Sequence, residues 1–131
     1  ARAFAGIAYR VTADADRFEA VYLRPLNGQK TNPRSPRDQR AIQYFASPDW
    51  KFDRLREQYP DGDYEAGADI GPDEWITLKL DIDNTRLTAT VNGNETLTLR
   101  ETKAPPVAGA LGLFVDIGSE SFFSNLKITP R

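Results

Sequence analysis

Apolar and polar positions alternate with a period of two along most of the chain, the signature of half-buried β-strands. In residues 75–83, Ile76, Leu78, Leu80 and Ile82 fall on one face, and Thr77, Lys79, Asp81 and Asp83 on the other. Residues 86–92 repeat the pattern, with Leu87, Ala89 and Val91 inward and Thr88 and Thr90 outward. Asn84-Thr85 is short enough to join these segments as a hairpin, and Asn92-Gly93 is a turn pair that tolerates positive φ. Residues 95–101 alternate again through Leu97 and Leu99, so the three segments read as an antiparallel meander. The same reasoning predicts strands over residues 4–11, 17–23, 40–45, 64–70, 110–117 and 121–128, about nine in all.

One stretch departs from this period. Ser47-Pro48-Asp49-Trp50 has the residues of a helix start: a serine cap, a proline at the first position and an acid in the first turn. Phe52, Leu55 and Tyr59 then recur at helical spacing until Pro60 and Asp61-Gly62. A short helix over about 47–59 is therefore predicted. Residues 26–39 form the longest irregular segment, where Lys30, Arg34 and Arg37 face Asp38 alone. Loops of this length in a compact domain are often functional. With no βαβ alternation, the pattern implies an all-β chain. The expected fold is a jelly-roll-like β-sandwich of two antiparallel sheets with one short helix, in a single domain over residues 1–131.

Composition narrows the chemistry. The 131 residues carry 17 Lys plus Arg against 19 Asp plus Glu, a net charge of −2, so a global basic field for nucleic acid is absent. No apolar run reaches the ~18–20 residues of a membrane-spanning helix. The sequence has no Cys and no His. Disulfides, thiolate zinc sites, Cys nucleophiles, Ser-His-Asp triads and imidazole shuttles are thereby excluded. Any catalysis falls to carboxylates, Tyr, Lys or Arg. The chain opens with Ala1-Arg2-Ala3-Phe4, without Met, as a piece of a longer polypeptide would.

Several segments together carry a likeness to a known fold family. They are Phe4-Ala5-Gly6-Ile7-Ala8-Tyr9-Arg10-Val11, Phe18-Glu19-Ala20-Val21-Tyr22-Leu23-Arg24-Pro25, Ala41-Ile42-Gln43-Tyr44 and Glu74-Trp75-Ile76-Thr77-Leu78-Lys79-Leu80. Thr90-Val91-Asn92-Gly93, Gly109-Ala110-Leu111-Gly112-Leu113-Phe114 and Phe122-Phe123-Ser124-Asn125-Leu126-Lys127-Ile128 continue the likeness. Together they resemble the concanavalin A-like lectin/glucanase superfamily in its laminin-G-like bacterial members, including domains related to the keto-disaccharide hydrolase group. The resemblance implies two curved sheets with sugar sites on the concave face or rim, in a bacterial protein; an extracellular or periplasmic location is the expectation, with the cytoplasm as the alternative. Such relatives begin with further strands before the segment matching Phe4 to Val11. Lacking them, this domain is expected to cover an open edge with the helix, a second copy or an exchanged strand. The Glu-x-Asp-x-x-Glu motif of the family's laminarinase-like enzymes is absent, so their activity is not transferred.

The residues themselves offer candidates. Tyr22, Arg24 and Gln43, on neighbouring predicted strands, combine an aromatic platform with planar donors suited to sugar rings and carboxylates. The plainer alternative makes Tyr22 a core residue and Arg24 a strand end. Trp50 either stacks on a sugar or anchors the helix, and Arg34 and Arg37 either grip an acidic polysaccharide or solvate a loop. Glu19, Asp116 and Glu120 are the carboxylates available for general acid or base work. Asp14 with Asp16, and Asp61 with Asp63, are candidate Ca²⁺ ligands or simple turn residues. The leading expectation is a carbohydrate-binding or adhesion-type module without its own catalysis, as a homodimer or within a larger parent protein. A glycoside hydrolase acting through carboxylates and a protein-interaction module are the alternatives.

Overall fold

The computed structural model describes residues 4–115, 121 and 123–129. Its strands are β1 (Ala5–Val11), β2 (Phe18–Leu23), β3 (Ile42–Ser47), β4 (Glu65–Ala66), β5 (Leu78–Asp83), β6 (Arg86–Val91), β7 (Asn94–Leu99) and β8 (Ala110–Val115). They build a five-stranded sheet in the order β4-β3-β2-β1-β8 and a three-stranded sheet in the order β5-β6-β7. All pairings are antiparallel, as expected for a β-sandwich.

The meander follows the predicted alternation. Leu78, Leu80 and Ile82 oppose Val91, Ala89 and Leu87, and Leu97 and Leu99 oppose Ala89 and Leu87. These side chains share one apolar face. Asn92 (φ 50°) and Gly93 (φ 85°) make the tight turn between β6 and β7. The larger sheet buries Tyr9, Val21, Leu23, Ile42, Tyr44 and Ala46 on one face and Ala8, Ala20, Tyr22 and Phe45 on the other, and Leu87, Ala89, Val91, Leu97 and Leu99 of the smaller sheet complete the core.

Three expectations need correction. The helix α1 runs only over Phe52–Gln58, capped by Lys51 rather than Ser47. Ser47 ends β3, and the Trp50 and Ala46 backbones exchange two hydrogen bonds of 2.8 Å around Pro48-Asp49. Those bonds claim the groups that a first helical turn would use, so the Ser-Pro-Asp signal makes a reversal. The strand predicted over 64–70 shrinks to Glu65–Ala66. Beyond it, the carbonyls of Ala68 and Ile70 accept from Gln29 and Lys30, drawing the chain away from the sheet onto the preceding loop. The strand predicted over 121–128 is not formed by the described residues there, and of the strand over 110–117, Asp116 and Ile117 lie outside the described residues.

The long irregular segment is folded on itself through three short 3-10 turns, Pro25–Asn27, Gln29–Thr31 and Arg37–Gln39. Buried Asn27 ties it together, donating to the Arg40 carbonyl and accepting from the Arg37 guanidinium.

Candidate functional site

The register brings five residues, one per strand, into a single row across the larger sheet. Phe114 of β8 opposes Gly6 of β1, Gly6 opposes Tyr22 of β2, Tyr22 opposes Gln43 of β3, and Gln43 opposes Glu65 of β4. Directly opposed residues point to the same side of a sheet. The face they define is the one turned away from Val21, Ile42 and Tyr44. Gly6 shapes its aromatic half, since the missing side chain lets the Tyr22 and Phe114 rings meet across β1 at 5.5 Å between centroids. Phe45 and Phe4 complete the cluster, at 5.7 and 5.3 Å from Tyr22.

The polar half starts at Arg24, two residues beyond Tyr22 and so on the same side. Its Nη2 donates to the Tyr22 hydroxyl at 3.1 Å. Its guanidinium lies 4.3 Å from the Phe4 ring centre and 5.8 Å from that of Phe52 on α1, both within cation–π range. The Arg24 Nε is buried without a hydrogen-bond partner. Gln43, 1% exposed, spends its amide protons on the carbonyls of Tyr44 and Tyr64 and leaves a buried Oε1 unpartnered. Burial pushes the Tyr22 hydroxyl above its ordinary pKa, against the pull of Arg24, so the phenol stays neutral with a proton to donate. At the end of the row, Arg56 grips both oxygens of Glu65 at 2.9 and 3.2 Å, and Arg40 adds a contact at 3.3 Å.

The remaining candidates stand elsewhere. Glu19 is fully buried on the opposite side of the sheet. It accepts from the Tyr44 hydroxyl at 2.6 Å and from Arg10 at 2.8 Å. Arg10 reaches it because a bulge between Ala8 and Val11, with Arg10 at φ 51°, turns its side chain back. Arg10 also donates to the Asn84 carbonyl, linking the two sheets. Asp116 and Glu120 lie outside the described residues. Trp50 is half-buried beside Tyr59, with the Arg54 guanidinium 3.8 Å and the Lys103 ammonium 4.9 Å from its ring centre. Burial alone would lower the Lys103 pKa, but the hydrogen bond to Tyr59 and the nearby Tyr64 hold it above its ordinary value. Arg37 is spent on Asn27 and the Leu26 carbonyl, and Arg34 is exposed. The Asp14 carboxylate accepts from Thr12 and from the Asp16 amide, which lowers its pKa. Among the described residues no group of three or more carboxylates is arranged to hold a metal ion.

The buried tyrosines make stability depend on alkaline pH. Burial, with Glu19 nearby, raises the pKa of both Tyr9 and Tyr44 far above the ordinary value. The unfolded chain releases these protons above about pH 10 while the folded chain keeps them. Stability is therefore intact below about pH 10 and falls above it by about 1.4 kcal/mol per tyrosine per pH unit. Urea unfolding at stepped alkaline pH should show this slope, and Tyr9→Phe should flatten it. An unchanged slope in that variant would remove Tyr9 as a cause.

Sequence reasoning missed Phe4, Phe52, Arg56 and Glu65, and reached Arg40 only as the end of the basic loop 30–40 that could grip an acidic polysaccharide. Phe52 and Arg56 carried a signal, since residues four apart share a helix face.

Fold and site together define a two-sheet β-domain with a mixed aromatic and polar face on its larger sheet. The 3-keto-alpha-glucoside-1,2-lyase-like domain model matches residues 2–129, so the chain belongs to that carbohydrate-related family. No curated protein and no solved structure matches the chain.

Proposed function

We propose that the domain binds a carbohydrate on the Phe114–Glu65 row and has no catalysis of its own. One observation carries this reading: on the row and beside it, a neutral phenol, an unpartnered Arg24 Nε and an unpartnered Gln43 Oε1 sit close to aromatic rings. Sugar hydroxyls both donate and accept, and sugar C–H faces pack on aromatic rings, so such a set suits a pyranose. The family is consistent with a sugar ligand, and the two-sheet architecture is compatible with the concanavalin A-like superfamily.

The competing reading is an enzyme, either a lyase removing a proton beside a ketone or a hydrolase acting through carboxylates. Both need a carboxylate, or an equivalent base, free to take a proton. The carboxylate on the row, Glu65, has both oxygens occupied by guanidinium groups, which favours binding.

A glycan array followed by calorimetry tests the proposal. Retention of at least one glycan at millimolar concentration is expected, without release of products from it or from a 3-keto-glucoside. Tyr22→Phe should weaken that binding about three- to tenfold, the worth of one hydrogen bond. Retention of no glycan sinks the binding claim, and steady product release sinks the non-catalytic one.

A further inference from the structure

The charges on the sugar-facing side do not balance locally. Arg40 and Arg56 pair with one carboxylate, Glu65, while Arg24 and Arg56 both lie against the Phe52 ring. Glu65 is shared by Arg40 and Arg56, and Arg24 has no ion-pair partner among the described residues. Its surroundings make this unusual. The guanidinium lies 4.3 Å from the Phe4 ring centre, with the Tyr22 and Phe52 rings at 5.5 and 5.8 Å, its Nε is buried and unpartnered, and Nη2 donates to a neutral phenol. Rings that orient a guanidinium without neutralising it leave a rigid, partly desolvated fork, pre-organised for a planar anion.

We propose that Arg24 receives the carboxylate of an acidic sugar, so that the ligand is a uronate-containing glycan. The inference rests on the carbohydrate-binding reading above and adds the class of sugar. Arg56 and Glu65 supply the local precedent, a two-bonded guanidinium–carboxylate pair on the same face. In the bound state the Arg24 Nε and its free Nη2 proton donate to the two carboxylate oxygens. Tyr22 and Gln43 Oε1 then serve the ring hydroxyls. The planar fork favours a carboxylate over a neutral hydroxymethyl group, which could take only one of these bonds.

The test is calorimetric titration with oligogalacturonate and oligomannuronate, each beside its methyl ester. Esterification removes the charge and keeps the ring and its hydroxyls. At low salt one of the acids should bind about tenfold or more tighter than its ester, and the gap should narrow as salt rises. Arg24→Gln should bring the acid down to the affinity of the ester. Arg24→Lys should recover only part of the gap, because it restores charge without the fork. Equal binding of acid and ester overturns the uronate assignment and leaves sugar binding standing. Binding of neither form, with no other glycan retained on the array, overturns both. Should Arg24→Gln not fold, the acid-to-ester ratio of the unaltered protein and its salt dependence decide alone.

Discussion

Glu19→Ala is expected to lower folding stability by about 3–5 kcal/mol, the cost of removing one partner from a buried ion pair. The substitution strips the Tyr44 hydroxyl of its acceptor and leaves the Arg10 guanidinium, 14% exposed, without a counter-charge. It also loosens the tie from Arg10 to the Asn84 carbonyl at the turn between β5 and β6. Glu19→Gln keeps an acceptor for Tyr44 and should cost less. Urea unfolding of the two variants checks the order. Wild-type stability in Glu19→Ala would show that the cluster does not hold the sheets together. Glycan binding per folded molecule should be unchanged, because Glu19 points away from the Tyr22 row.

The second large effect is expected at Gly6. A Cβ there would stand 2.0 Å from the Val21 carbonyl oxygen and 2.5 Å from the Tyr22 Cα, both backbone atoms that cannot turn aside. Gly6→Val should therefore destabilise the domain by about 3 kcal/mol or more, at the upper end of overpacking. It should also abolish binding, because a side chain at Gly6 separates the Tyr22 and Phe114 rings that form the aromatic half of the site. Thermal unfolding and calorimetry read the two effects separately. A folded Gly6→Val variant with normal affinity would contradict the role given to the row.

The meander was legible because its alternation has one wet and one dry face, and its turn carried the Asn-Gly signal. The Tyr22, Arg24 and Gln43 grouping was legible for the same reason: strand periodicity alone places i and i+2 on one side. Glu65 was not, since its place in the row depends on β3–β4 pairing that spans the whole of α1. Arg10 was not either. Tyr9 is the register partner of Glu19, so strict alternation puts Arg10 on the other face, and only the bulge brings it round. The helix start failed because Ser-Pro-Asp serves turns as well as caps, and the Ala46–Trp50 backbone pair decided between them.

Backbone amide NMR during titration with the best-bound glycan tests the central claim most directly. Perturbations are predicted at Gly6, Tyr22, Arg24, Gln43 and Glu65, and on α1 around Phe52 and Arg56. The outer face of the three-stranded sheet, at Lys79, Thr88 and Thr98, should stay unmoved. Shifts confined to that outer face, or to the loop around Arg34, would contradict the account.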